Sequence, residues 1–425
     1  MKTEYDVIIV GARVAGSALA CHLARRGFDV LLCDRGSFPS DILSTHNFFN
    51  NSLAMLQELG VLDELLATNT PTYNRLRIQF GGAVIDGVVP AVGGYADCLC
   101  IRRTHLDRIF FERAKSHPNV TALENFRVAE LTKRGDEVSG VVGQRRGSRG
   151  NAAFAAKLVV GADGRLSTVR KLAGSARLRN VPSDFASYVA YVSGFTQDGP
   201  LHAELYRQGD KYAIAFPTSD GQYALGVMFP LTDKEWAERM KRDPEAAVRA
   251  LVDEGFAATT LPRRLRAARF DAPVRGLVGY DNDWHQGMGA GWALVGDALT
   301  FKDPTVGTGL HDALFGARTL AELLASMTPN EWTGSWEAMA AAYQRTMEER
   351  LMAHFLLGCQ LTKNTPIAPE QEAAYALVGA DAEATRKFLG FYNYSYSWDD
   401  IEREIGKLIA AKAGTKTEGE DIVER

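Results

Sequence analysis

The residues able to do chemistry fall in three turns and a few isolated polar positions. The first turn is Gly11-Ala12-Arg13-Val14-Ala15-Gly16, with Asp34 one element later. Gly11 permits a tight turn, and small residues at Ala15 and Gly16 let a following helix lie close to a sheet. Such a helix start offers free N–H groups to a pyrophosphate. Asp34 can accept both hydroxyls of an adenosine ribose. Arg13 stands where a Gly-x-Gly-x-x-Gly motif has its second glycine. Its guanidinium reaches the phosphates or points to solvent; both readings stay open. The second turn is Gly161-Ala162-Asp163-Gly164, and the third is Gly296-Asp297-Ala298. The third leads into Pro304-Thr305-Val306-Gly307-Thr308-Gly309-Leu310. His46, in the run Ser40 to His46 that includes Ser44, is either a pocket base or proton relay, or a structural histidine. His311 has a smaller claim to a direct role, and His22 and His105 read as structural. No Gly-x-Ser-x-Gly motif argues for hydrolysis.

The elements that must hold these turns are legible. Asp6–Val10, Phe28–Cys33, Lys157–Val160 and Trp292–Val295 are short apolar runs without alternation. Each reads as a strand buried on both faces, as in a parallel sheet. A helix to Arg26 links the first two, which makes a dinucleotide-binding βαβ unit. Arg75–Phe80 and Ala83–Val89 around Gly81-Gly82 read as a hairpin. Tyr188–Phe195, His202–Arg207, Tyr212–Phe216 and Tyr223–Phe229 read as four antiparallel strands. Thr232–Gly255, Trp332–Leu361, Pro369–Phe391 and Trp398–Lys412 read as helices. The aromatic cluster Phe388 to Trp398 caps a pocket or packs terminal helices. Gly414–Arg425 is polar and reads as frayed.

Composition narrows the classes. The chain has 425 residues, 46% apolar and 24% charged, with net charge −4. That is a globular composition. It carries no broad basic field, so nucleic acid is not the expected partner. The basic stretch Arg145-Arg146-Gly147-Ser148-Arg149 reads as a solvated loop. The five cysteines, Cys21, Cys33, Cys98, Cys100 and Cys359, make no disulfide framework or zinc spacing. No metal site is expected. No apolar leader or membrane-spanning run is visible, and a cytoplasmic setting is expected.

The three turns, in this order over about residues 5 to 325, resemble the FAD-dependent monooxygenases of the para-hydroxybenzoate hydroxylase class. Geranylgeranyl-reductase-like enzymes and halogenases are relatives of that class. The resemblance implies an α/β fold: a Rossmann-like FAD-binding domain, an inserted antiparallel β-sheet substrate domain and a C-terminal helical segment. The implied divisions are 1–74, 97–180 and 276–330 for FAD, 75–96 and 181–275 for substrate, and 331–412 for the helices, with 413–425 a disordered tail.

The resemblance also implies roles. Gly11, Ala12, Arg13, Ala15, Gly16, Asp34, Arg35 and Ser44 would hold the ADP half of FAD and its surroundings. Arg103 would contact the phosphate and ribityl region, and Val128 would pass the adenine through its backbone. Asp163 and Gly164 would serve the pyrophosphate, and Gly296 and Asp297 the ribityl chain. Pro304 would flank the ring. The amides from Gly307, Thr308, Gly309 and Leu310 would face flavin N1/O2, where a helix N-terminus favours negative charge. Tyr212, Ile214, Phe216 and Pro217, similar to the channel-lining stretch of geranylgeranyl reductases, would bind substrate.

The implied activity is NAD(P)H- and O2-dependent hydroxylation of a small aromatic or apolar electron-rich substrate through a flavin C4a-hydroperoxide. No second glycine turn provides a nicotinamide domain. NAD(P)H would therefore bind transiently, or a separate flavin reductase would supply electrons. The alternative is a reductase or dehydrogenase moving hydride at N5. A non-catalytic flavin sensor would not need the turn at Gly307. Halogenation is disfavoured, because the chain has no lysine between Lys2 and Lys115.

Overall fold

The computed structural model describes residues 2–41 and 46–420, with side chains through residue 412. The apolar run near the N-terminus forms strand β1, Glu4–Val10. Helix α1 follows at Val14–Ala24 and strand β2 at Val30–Cys33. β1 lies between β2 and the strand Asn151–Gly161, parallel to both. Trp292–Leu294 and Val120–Leu123 extend the parallel sheet on its two sides. Ile8, Ile9, Leu31 and Leu158 are fully buried, as strands covered on both faces require. Asn151–Gly161 is long enough to pair twice. Its first half pairs antiparallel with Glu137–Arg145, which pairs with Phe126–Arg134.

Parallel strands end at one edge, so the three glycine turns arrive together. Backbone bonds lock them there. Gly11 N–H donates to Cys33 O at 2.7 Å, Ala162 N–H to Val10 O at 2.8 Å and Val295 N–H to Gly161 O at 3.0 Å. Gly11 has φ +106°. A Cβ on Gly11 would stand 2.4 Å from Ala162 O, and one on Gly16 would stand 1.8 Å from Gly11 O.

The second sheet runs Arg269–Phe270, Phe185–Ser193, Gln222–Pro230, Lys211–Pro217, His202–Gln208, Arg75–Phe80 and Ala83–Val88. It is antiparallel except at one junction. His202–Gln208 and Arg75–Phe80 are parallel, because the hairpin comes from a distant part of the chain. One face, with Ala213, Ala215 and Val227, packs on three helices, Lys234–Arg242, Pro244–Gly255 and Leu261–Ala267. The other, with Leu76, Ile78 and Leu205, packs on Pro369–Ala380 and Ala382–Tyr392.

Helix boundaries differ from the sequence expectation for local reasons. The stretch 232–255 is two helices, because Asp243 caps the second at Ala246 N–H, with Pro244 in its first turn. Asp381 divides 369–391 the same way, accepting from Ala384 N–H at 2.8 Å. Leu261–Ala267 was not expected. The helix expected from Trp332 starts at Trp336, and the last helix runs Trp398–Glu420, into the stretch read as a frayed tail. No helix among the described residues is long and apolar enough to cross a membrane.

The crowding at the turns makes a prediction. Gly16→Ala should lower unfolding free energy by about 1–3 kcal/mol, since the added methyl meets backbone that cannot yield. Gly406→Ala, where a Cβ meets nothing within 4 Å, should be neutral or stabilising by up to about 1 kcal/mol. Urea midpoints at constant m-value measure both.

Candidate active site

A cleft opens at the carboxyl edge of the parallel sheet. Gly11, Arg13, Ala15, Asp34, Arg35, Arg103, Val128, Asp163, Gly164, Gly296, Asp297, Gly309 and Leu310 line it. The three turns and the start of the helix Gly309–Ala325 thus share one wall. Ala12, Gly16, Pro304, Gly307 and Thr308 sit behind or beside that wall, and Ser44 lies outside the described residues. Phe126, Arg127, Leu166 and Thr168 also line the cleft and were not singled out from the sequence.

Two arginines face the cleft from one carboxylate. Arg13 Nε donates to Asp107 Oδ2 at 2.8 Å. Arg103 Nη2 donates to Oδ1 at 2.5 Å and its Nε to Oδ2 at 3.2 Å. The Asp107 side chain is fully buried and the Arg103 side chain nearly so. Burial pulls the Arg103 guanidinium down from its usual range, and the Asp107 charge opposes that pull. Arg13 is thereby placed: its side chain is clamped beside the cleft rather than free in solvent. Helix α1 has no side-chain cap and no acidic residue in its first turn, so its N-terminal amides face the same space. Asp107 was missed as a functional residue. Its i,i+4 spacing from Arg103 was a usable signal; its pairing with Arg13 had none.

The acidic residues divide by role. Asp34 Oδ2 accepts Ala12 N–H and Oδ1 accepts Gly36 N–H, both at 2.8 Å. This fixes its carboxylate at the end of β2. Asp163 accepts Ser167 O–H at 2.5 Å and Thr168 N–H at 2.6 Å, capping the helix Thr168–Ala173. Burial still pushes its carboxyl up, against those donors. Asp297 lines the cleft and accepts no hydrogen bond from the described residues. Burial pushes its carboxyl up as well, opposed by the charges of Lys302, Arg103 and Arg13. It is an acceptor without a donor.

His46 lies off the cleft, buried, with Nε2 hydrogen-bonded to Tyr191 O–H of the second sheet. Burial, then the charges of Arg103 and Arg102, lower its pKa to about 3. The ring is therefore neutral at ordinary pH. Arg102 stacks over the Tyr191 ring at 4.2 Å, and burial pushes the phenol up. Tyr191 was not singled out from the sequence. His22 is buried in α1, also at about 3, mainly through burial. His105 is on the surface beside Asp220.

Beyond the Gly307 turn the wall is aromatic. A Cβ at Gly307 would meet the Phe49 ring at 3.3 Å. Phe49 packs on Tyr392 at 5.9 Å, and Tyr73 packs on Phe216 at 6.5 Å. Ile214 and Phe216 are half-buried against this cluster. Tyr212, expected at the substrate, is placed in the packed core. It is 1% exposed, edge-on to Phe185 and donating to Leu361 O at 3.3 Å. The shared strand face is already covered there by the helix end. Pro217 is buried too. The aromatic cluster after Phe388 likewise packs rather than stands open, with Phe388, Phe391 and Tyr392 all buried. Lys302 donates to buried Asp312, which also accepts Tyr394 O–H at 2.7 Å and contacts His311 Nδ1 at 3.1 Å. This assigns His311 to holding the first helical turn.

A family model described as "FAD binding domain" matches residues 4–350. The menaquinone reductase of Mycolicibacterium smegmatis is 29% identical over 349 residues, 80% of this chain and 81% of that protein. The 6-methylpretetramide 4-monooxygenase of Streptomyces rimosus is 28% identical over 73% of this chain and 72% of its own. The flavin-dependent brominase Bmp2 has a similar fold, with a TM-score of 0.72 and 19% identity, covering 96% of this chain and 93% of its own.

The cleft residues fit FAD. The uncapped α1 start and the two clamped arginines suit a pyrophosphate. Asp297, half-buried in the cleft lining, offers an acceptor for a hydroxyl of the ribityl chain.

Two measurements test this geometry. Asp107→Ala leaves two guanidinium groups facing each other without their carboxylate. It should cost about 3–5 kcal/mol in apoprotein stability and weaken FAD binding, read by denaturant titration and flavin fluorescence. Stability should also depend on the low-pKa histidines, for which burial lowers His22, His46 and His354 to about 3. Above about pH 6.5 both states hold neutral rings and their stabilisation is complete. Below that, the unfolded chain takes up protons that the folded rings refuse, so stability falls as pH drops toward 3. His46→Gln should flatten the slope by at most about 1.4 kcal/mol per pH unit.

Proposed function

The chain belongs to the FAD binding domain family and is an FAD-dependent oxidoreductase, and we propose that it is a monooxygenase hydroxylating a small aromatic or apolar, electron-rich molecule. NAD(P)H is the reductant and O2 the co-substrate in this reading. The observation that carries it is the position of the Gly307–Leu310 turn. One side of it closes the cofactor cleft, and Gly307 on the other abuts the Phe49 ring, which packs on Tyr392. FAD held by these residues would supply the redox chemistry, hydride acceptance and oxygen activation.

The chain's own residues do the rest. Arg13 and Arg103 hold the pyrophosphate. Asp34 accepts from the adenosine ribose and Asp297 from the ribityl chain. The amides opening Gly309–Ala325 stabilise negative charge on the ring's N1/O2 side. The Lys302–Asp312–Tyr394 contact holds that first turn in place. The half-buried Ile214 and Phe216 would meet an apolar substrate and keep water from the reacting centre. His46 and Tyr191 are both neutral and share one hydrogen bond. Burial disfavours both the imidazolium and the phenolate, so the pair stays neutral and orients the His46 ring against the second sheet. The five cysteines are free and buried, which suits a reducing, cytoplasmic setting.

The second reading is a reductase moving hydride at flavin N5. The similarity to a menaquinone reductase favours it. Both readings are separable with a panel of phenols, quinols and apolar olefins. The monooxygenase should consume one O2 per product and place oxygen from labelled O2 in it, with no turnover anaerobically. Anaerobic saturation or desaturation of a substrate without label would overturn that reading.

A further inference from the structure

One face of the second sheet looks toward the cofactor side, where Tyr191 meets His46. The register across Phe185–Ser193, Gln222–Pro230 and Lys211–Pro217 sets side chains of that face in rows. The row of Met228 and Tyr212 is shut: both pack with Phe185, and Tyr212 donates to Leu361 O. The row of Tyr191, Ala224 and Phe216 lies at the other end. Its aromatic ends are tied to adjacent residues of the chain. Tyr191 is hydrogen-bonded to His46, and Phe216 packs on Tyr73, whose O–H donates to Asn47 Oδ1. Asn47 Nδ2 lies 3.8 Å from where a Cβ on Gly307 would stand. This row is therefore the one beside the Gly307 turn.

Between the two rows lie Val189, Gly226 and Ile214. Gly226 has no side chain, and Ile214 lies over it. A Cβ on Gly226 would stand 2.7 Å from Ile214 Cγ1 and 3.0 Å from its Cδ1, with Val189 Cγ2 at 3.6 Å. Val189, Ile214 and Phe216 are half-buried, whereas Ala224 and Gly226 on the strand between them are buried. The central strand is thus a floor of small residues, and larger ones stand on the strands either side. Tyr191 and Phe216 are two strand spacings apart, roughly 10 Å between backbones. Aromatic walls over a small floor suit a flat apolar group. Ile214 ends that slot on the side of the shut row.

We propose that Ile214, seated on Gly226, limits the length of the substrate, and that the occupant is a flat fused-ring phenol laid over Ala224 between Tyr191 and Phe216. The inference rests on the reading that the chain hydroxylates an aromatic molecule at this site. Ile214 acts by bulk alone. Shortening it lets the slot run on as far as Tyr212. A methyl on Gly226 pushes Ile214 into the slot and shortens the space.

The test is titration of the FAD-loaded protein with phenol, 2-naphthol and 2-hydroxyanthracene, followed by the change in flavin absorbance. The wild type should bind 2-naphthol tightest. Ile214→Ala should raise the affinity for 2-hydroxyanthracene relative to 2-naphthol on the order of tenfold, and Ile214→Val should raise it part of the way. Gly226→Ala should move the preference in the opposite direction, toward phenol over 2-naphthol. FAD affinity and circular dichroism should stay at wild-type values in every variant. Unchanged ratios, or ratios that move the same way in Ile214→Ala and Gly226→Ala, overturn the inference and leave the aromatic-substrate reading standing. So does a wild type that already binds 2-hydroxyanthracene tightest. Loss of FAD affinity in Ile214→Val also overturns it, since Ile214 is then a packing residue of the fold. Binding of none of these phenols overturns the aromatic-substrate reading, and the inference falls with it.

Discussion

Three turns from distant parts of the chain touch at distances that no Cβ tolerates. Gly16 sits on Gly11 O, Gly11 on Ala162 O, and Gly296 would place a Cβ 3.0 Å from that of Ala15. Every feature of the cofactor cleft follows from that contact. It lets α1 lie against the sheet with its first amides pointing outward. It brings Asp163 and Asp297 to the same edge as Asp34. The parallel order of strands makes the meeting possible, since all their carboxyl ends lie on one side.

Electrostatics then divide the cleft. Asp107 holds two arginines at the cleft, and Asp297 lines it as an acceptor. The single carboxylate thus serves two cations. A glycine in place of Arg13 would give closer backbone approach; here the chain substitutes a fixed charge for that closeness. Lys302 and Asp312 make a separate buried ion pair at the first turn of Gly309–Ala325.

The two sheets and the C-terminal helices are coupled through a few polar contacts. His46 to Tyr191 ties the cofactor side to the second sheet. Tyr394 to Asp312 and Asn393 to Asn50 tie the terminal helices to the flavin-side turn and the segment before it. The helices after Trp336 thus back the cluster around Phe49 and Tyr73 and also fix the first turn of Gly309–Ala325. Their truncation would loosen both.

The sequence by itself determined the βαβ unit, the order of the three turns, the family and most of the cleft. These rest on backbone requirements, and backbone requirements leave local marks: a glycine where a side chain cannot fit, an apolar run where both faces are covered, an aspartate at a strand end. Other features were decided only by tertiary structure. Asp107 meets Arg13 across 94 residues, and His46 meets Tyr191 across 145. Tyr212 is closed off by a helix end that strand alternation cannot reveal. Ile214 lies over Gly226 because the strand register sets them side by side. Side-chain pairing between distant segments has no period and no motif, so only the packed chain could bring these residues together.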